Sequence, residues 1–263
     1  MNVVLLQMDI AWAQPETNIE RAERLMQGQT ADLIVLPEMW ATGFAVRPKG
    51  IAENEEDSLA LAWMRTTAKE RQCAIAGSLA VCAADGTMRN RLYFITPDEE
   101  HYYDKHHLFS YGHEHEAYTA GQTHQIVAWQ GFRFLLLTCY DLRFPVWSRY
   151  GLAGEYDAIL CVANWPAARW EAWDTLTKAR AIENQCYVVA VNRVGDDPVG
   201  HYQGDSRVID PIGRVTAEGK KNAELAISGK LCMEELQKRR SHFRVLADRD
   251  LCALTDREGG YIK

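Results

Sequence analysis

This sequence of 263 residues has no C-x-x-C pair, no apolar run approaching about 18 residues, no proline- or serine-rich linker and no fixed-period repeat. Each absence removes a class of protein. Without paired cysteine spacing, the seven thiols read as buried free cysteines in a reducing compartment, not as a disulfide framework. Without a long apolar run no membrane span is expected, and without a linker the span 1–263 is expected to be one domain. Positive charge is also short. The chain carries 29 Lys and Arg against 36 Asp and Glu, mixed along its length, so no face for nucleic acid is expected. A pocket can still oppose that global sign locally. The opening segment Met1-Asn2-Val3-Val4-Leu5-Leu6 has no basic stretch before it meets Asp9, and reads as a first strand, not a secretory signal. These features predict a cytoplasmic protein.

What the chain does contain is short runs rich in Val, Ile and Leu, at 3–8, 32–36, 74–81, 91–96, 133–138, 158–163 and 187–192. Stretches with helical spacing lie between them, at 17–29, 57–71, 171–186 and 232–240. That alternation predicts a layered α/β fold. Thr17 or Asn18 is the expected cap of the first helix, and Asp57-Ser58 that of the second. Leu59, Ala62 and Trp63 are the expected inward face of the second helix. Leu176, Ala179, Ile182 and Cys186 are the expected inward stripe of the third. Trp129-Gln130-Gly131-Phe132 and Asp210-Pro211-Ile212-Gly213 carry turn chemistry between strand-like flanks. The last ~20 residues are expected to form a tail that packs elsewhere or on a partner.

Three apolar runs end in an isolated reactive group. Leu135-Leu136-Leu137-Thr138 runs into Cys139, with Phe144-Pro145 reading as a helix start just beyond. A thiol held near helix-terminal N–H groups or a cation would have its thiolate favoured, with the N–H of Tyr140 in reach of a developing oxyanion. Leu33-Ile34-Val35-Leu36-Pro37 runs into Glu38, a carboxylate whose apolar setting suits a general base. Tyr102-Tyr103-Asp104 runs into Lys105. A Cys, a Glu and a Lys at strand exits are the parts of an acyl-transfer site. His101, His106, His107, His113 and His115, with Glu114 and Glu116, keep a metal site open as an alternative, although no helix-based ligand spacing is present.

These motifs, taken in order, resemble the nitrilase superfamily of carbon–nitrogen hydrolases over almost the full length. The residues that carry the resemblance are Leu36-Pro37-Glu38, Tyr103-Asp104-Lys105-His106-His107-Leu108-Phe109 and Cys139-Tyr140-Asp141-Leu142-Arg143-Phe144-Pro145. Ala163-Asn164-Trp165-Pro166, Arg180-Ala181-Ile182-Glu183-Asn184, Asn192-Arg193-Val194-Gly195 and Gly204-Asp205-Ser206-Arg207 add to it. The resemblance implies a four-layer αββα sandwich and homodimers built through the helix layer. It implies Glu38 as general base, Lys105 as oxyanion-stabilising cation and Cys139 as nucleophile, with no metal or organic cofactor. It also implies a second glutamate seven residues before a glycine. Glu114 fits that spacing against Gly121, with Glu116 as the competitor.

Leu-Pro-Glu-Met and Cys-Tyr-Asp-Leu-Arg-Phe-Pro are most similar to the omega-amidase branch, and Tyr140 in place of tryptophan tilts the reading from nitriles to amides. The implied substrate is a small-molecule amide, the monoamide of a 2-oxo dicarboxylic acid such as 2-oxoglutaramate or 2-oxosuccinamate, cleaved through a thioester. Arg169 is the candidate anchor for the distal carboxylate. Trp165, Trp170, Trp173 and Phe44 are candidate pocket walls. An aliphatic amide or N-carbamoyl amide hydrolase stands as an alternative, and a non-catalytic binding protein as another.

Overall fold

The computed structural model describes residues 1–250; residues 251–263, most of the expected tail, lie outside the described residues. Its first sheet runs, edge to edge, Leu225–Lys230, Asn2–Gln7, Leu33–Val35, Ala74–Cys82, Met88–Ile95 and Glu100–Asp104. The short strand Glu53–Asn54 adds to Ala74–Cys82. A second sheet runs Val215–Glu218, Arg207–Ile209, Tyr187–Asn192, Ala158–Ala163, Phe132–Thr138 and Ile126–Trp129. Helices α1 (Pro15–Leu25) and α2 (Leu59–Arg71) pack on the outer side of the first sheet. Helix α3 (Trp170–Asn184) packs on the second sheet, and α4 (Met233–His242) adds Leu236 to the same core. This is the αββα sandwich expected from the motifs.

The central strands are apolar throughout because both of their faces are covered. Side chains alternate along a strand, so Val3 and Leu5 enter the core between the sheets while Val4 and Leu6 enter the one beneath α1 and α2. Phe94 and Phe134 close the inter-sheet layer with ring centroids 5.7 Å apart. Burying side chains of this size contributes on the order of 1.5–3 kcal/mol each. Gln130 and Gly131, both at positive φ, make the two-residue turn that pairs Trp129 with Phe132, as the turn chemistry predicts.

The helices depart from the expected phases. Pro15 occupies the first turn of α1 with Gln14 at its cap. Asn18 lies inside the helix, buried, and its amide spans Ala11 and Ala41. In α2, Ser58 does cap, accepting the N–H of Leu61 at 3.0 Å. The buried face, however, is Ala60, Leu61, Met64, Thr67 and Ala68, and Leu59 and Ala62 point outward. Trp63 of the expected face is half-buried and does pack against the core beneath α1 and α2. In α3 the buried stripe is Trp173, Thr177, Arg180, Ala181 and Asn184, and Ile182 is exposed. Three of these five are polar, so hydropathy misplaces part of the stripe: of the expected residues Ile182 faces out, whereas Cys186 is buried just past the helix and Leu176 packs against the core. No α-helix starts at Pro145; a 3₁₀ turn over Cys139–Arg143 follows the strand directly.

Candidate active site

Strands Leu33–Val35, Ala74–Cys82, Phe132–Thr138, Ala158–Ala163 and Tyr187–Asn192 pair in parallel within their sheets, which aligns their carboxyl ends. Glu38, Cys139, Asn164 and Arg193 all follow such ends, and this is where open α/β sheets leave room for a ligand. Glu100–Asp104 delivers Lys105 to the same lip. Glu38, Lys105 and Glu114 are fully buried and in direct contact. Lys105 Nζ lies 2.8 Å from Glu38 Oε1 and 2.8 Å from Glu114 Oε2. Glu114 Oε2 also accepts the N–H of Phe109 at 2.6 Å, and Glu38 Oε2 accepts that of Asn164 at 2.8 Å. Glu116 is exposed and pairs with His113, so the structure brings Glu114 and not Glu116 to the lysine.

Every partner of the two carboxylates is a donor, which is the surrounding an ionised carboxylate requires. Burial and the Glu38 charge push Glu114 up from the ordinary carboxylate value, against the pull of Lys105 and Asn90. Burial alone would discharge Lys105, but Glu114 and Glu38 hold its ammonium well above the usual lysine range.

Cys139 stands at the strand exit with a φ of +47°, a strained value for a residue with a side chain. Burial and the nearby Glu38 carboxylate push its thiol well above the ordinary value, with Lys105 pulling the other way. The expected bias toward thiolate is therefore reversed: burial and Glu38 favour the protonated thiol of Cys139. The turn behind it is pinned by buried Asp141, which accepts from Thr138 N–H at 3.0 Å, Tyr103 hydroxyl at 2.8 Å and His107 N–H at 2.8 Å. Burial would raise Asp141, but the His107 contacts and the Thr138 N–H hold it below the usual carboxylate value. From α3, Arg180 donates to Leu142 O at 2.6 Å.

A pocket of about 560 Å³ opens beside Cys139. Of the candidate substrate contacts, Phe44, Trp165 and Arg169 line it, together with Tyr140. Trp170 and Trp173 do not: Trp173 is buried with its N–H on Asp205 O, and the Trp170 ring lies against Lys221. Arg143 joins the lining with its guanidinium 4.8 Å from the Trp165 ring, while Arg169 lies over Phe109 and Tyr111. Neither arginine has an acidic partner among the described residues, and no Asp or Glu lines the pocket. A net negative protein thus presents a positive pocket. A hairpin, Val194–Asp197 with Gly200–Gln203, covers one side and contributes His201 and Tyr202. Fully buried Arg193 fastens it through Asp197 at 2.9 Å and Ile10 O at 3.0 Å.

Asn90, Arg143 and the hairpin were not expected as site residues. Arg143 sits within the cysteine motif and could have been read as a pocket cation; Asn90 carries no local signal. Among the described residues no group of three or more His, Cys, Asp or Glu could hold a metal ion. His106 stacks on Trp147, and His107 bonds Asp141. Nor is any helix among the described residues long and apolar enough to cross a membrane.

A two-sheet sandwich with Glu, Lys, Glu and Cys converging at one lip defines a hydrolase of the nitrilase superfamily. Residues 2–240 match the carbon–nitrogen hydrolase family, and the chain belongs to it. It is 44% identical over 255 residues to the omega-amidase YafV of Escherichia coli K12, covering 95% of this chain and 97% of that one. The omega-amidase YafV of Yersinia enterocolitica is 42% identical over 254 residues, with the same coverage. The 2-oxoglutaramate amidase of Bacillus subtilis is 37% identical over 219 residues, covering 81% of this chain and 84% of that one. Among solved structures, XC1258 of Xanthomonas campestris, a CN-hydrolase superfamily protein with an arsenic adduct in its active site, superposes with a TM-score of 0.91 at 39% identity. That match covers 97% of this chain and 99% of the other.

Proposed function

We propose that this protein is an omega-amidase that hydrolyses monoamides of 2-oxo dicarboxylic acids, 2-oxoglutaramate and 2-oxosuccinamate, to the acid and ammonia. The observation that carries the reading is the pocket itself. The Cys139 thiol lines the same space as two guanidiniums that have no acidic partner among the described residues, so an amide carbon can meet Cys139 while a distal carboxylate meets Arg143 and Arg169. The names of the relatives, omega-amidase and 2-oxoglutaramate amidase, support the same substrate class.

In this reading Glu38 takes the thiol proton as Cys139 sulfur attacks the amide carbonyl carbon. Lys105 and the N–H of Tyr140, the second residue of the 3₁₀ turn, stabilise the tetrahedral oxyanion. Glu38 returns the proton to the leaving nitrogen, ammonia departs, and a thioester remains on Cys139. Water gives its proton to Glu38, attacks the thioester, and frees the acid and the thiol. Glu114 keeps Lys105 charged and oriented. No metal or organic cofactor enters these steps. We also propose a homodimer through the outer helix layer, where Ile182 and Phe243 are exposed, and a cytoplasmic location suited to free thiols. Ammonia release measured over 2-oxoglutaramate, 2-oxosuccinamate, an N-carbamoyl amino acid and a simple aliphatic amide tests the reading. Preference for the 2-oxo acid monoamides is expected; preference for either of the others overturns it.

A further inference from the structure

Asn90 lies in the middle of Met88–Ile95, 1% exposed, with its side chain between two carboxylates. Its Nδ2 donates to Glu38 Oε1 at 2.7 Å and to Glu114 Oε1 at 3.0 Å. Its own main-chain carbonyl accepts the N–H of Lys105 at 3.0 Å. One residue therefore touches all three members of the buried charge cluster. The amide is not free to flip. Ser78 Oγ donates to Asn90 Oδ1 at 2.9 Å and itself accepts the N–H of Met39, the residue after Glu38, at 2.9 Å. Ser78 is fully buried, so this chain of contacts leaves Nδ2 facing the carboxylates.

We propose that Asn90 is a positioning residue that seats both Glu38 and Glu114 on Lys105. It rests on the reading of Glu38 as the base that serves Cys139. The physical need is plain. Two carboxylates share one ammonium in a site shielded from water, and their mutual repulsion favours protonating one of them. A neutral group with two N–H donors on a single atom relieves that repulsion without adding charge. Aspartate would add a third negative charge, and leucine would remove both donors. Asn90 acts through the carboxylates and not on substrate. The other ionisable groups facing the cluster are Cys139, Tyr118, Cys161 and Tyr202. None of them can replace its paired donors: Tyr118 spends its hydroxyl hydrogen on Ala45 O.

The test compares wild type, Asn90→Leu and Asn90→Asp in two assays. One is ammonia release from 2-oxoglutaramate across pH; the other, which needs no substrate, is the pH–rate profile of Cys139 alkylation by iodoacetamide. Loss of the donors should lower kcat by about a hundredfold or more, with KM changed less than about threefold. A carboxylate stripped of a donor binds its proton more tightly, so the acid limb of both profiles should move up by about one pH unit. Asn90→Asp keeps the shape and the Ser78 contact, and carries the test if Asn90→Leu does not fold. A folded variant with wild-type kcat overturns the proposal, and so does a loss of activity that leaves both profiles unshifted. If wild type releases no ammonia from 2-oxoglutaramate but the alkylation profile shifts, the substrate reading fails and the role of Asn90 stands.

Discussion

Asp141, two residues past Cys139, accepts the main-chain N–H of His107, two residues past Lys105, at 2.8 Å. The His107 ring nitrogen meets the same oxygen at 2.9 Å, and the Tyr103 hydroxyl meets the other at 2.8 Å. A single buried carboxylate thus ties the turn that carries the proposed nucleophile to the strand end that carries the proposed oxyanion cation. The two lie on different sheets, so their spacing depends on this strut more than on any strand pairing.

Asp141→Asn should therefore loosen the site and destabilise the fold by about 2–4 kcal/mol at neutral pH, the usual scale for hydrogen bonds lost from a buried charged acceptor. The pH dependence follows from its lowered value. A carboxyl held below its unfolded value stabilises the protein above that value, and the benefit disappears as pH falls through the folded one. Denaturant melts of wild type and variant should differ most above about pH 4 and converge in stronger acid.

The two glutamates of the histidine-rich loop separate cleanly. Glu114→Gln should lower kcat by about a hundredfold, because Lys105 loses one of its two anionic partners and keeps only Glu38. Glu116→Gln, on the exposed His113 pair, should leave kcat within about twofold of wild type. Steady-state kinetics on the two purified variants checks both.

The pocket arginines should govern substrate choice and not chemistry. Arg143→Ala or Arg169→Ala should raise KM for 2-oxoglutaramate by about 10- to 100-fold, equivalent to one charge-assisted contact, and leave a simple aliphatic amide nearly unaffected. Equal losses on both amides would place the carboxylate elsewhere.

How much of this was readable from the chain differs residue by residue. Glu38 and Cys139 announce themselves because each ends an apolar run, and a reactive group at such a strand exit has few structural reasons to be there; Lys105 ends the largely polar strand Glu100–Asp104 and was legible mainly through the motif around it. Glu114 needed the spacing to Gly121, which the structure explains: Gly121 N–H bonds Lys105 O, and a Cβ at Gly121 would collide with Asp104 O. Asn90 had no such marker. It reaches the site because antiparallel pairing sets Met88–Ile95 between the strand of Ser78 and that of Lys105, a fact of topology that local sequence does not hold. The α3 stripe was legible only in part, at Cys186 and Leu176, for a related reason, since Thr177, Arg180 and Asn184 are buried by virtue of their partners and not of their hydropathy.

The proposed chemistry turns on the Cys139 thiol, and one measurement addresses it directly: the rate of ammonia release from 2-oxoglutaramate by Cys139→Ala, with Cys161→Ala as the buried-thiol control. Cys139→Ala should show no detectable release above the uncatalysed rate, and a folded Cys161→Ala should turn over close to wild type. Residual turnover by Cys139→Ala at a substantial fraction of the wild-type rate would contradict that chemistry.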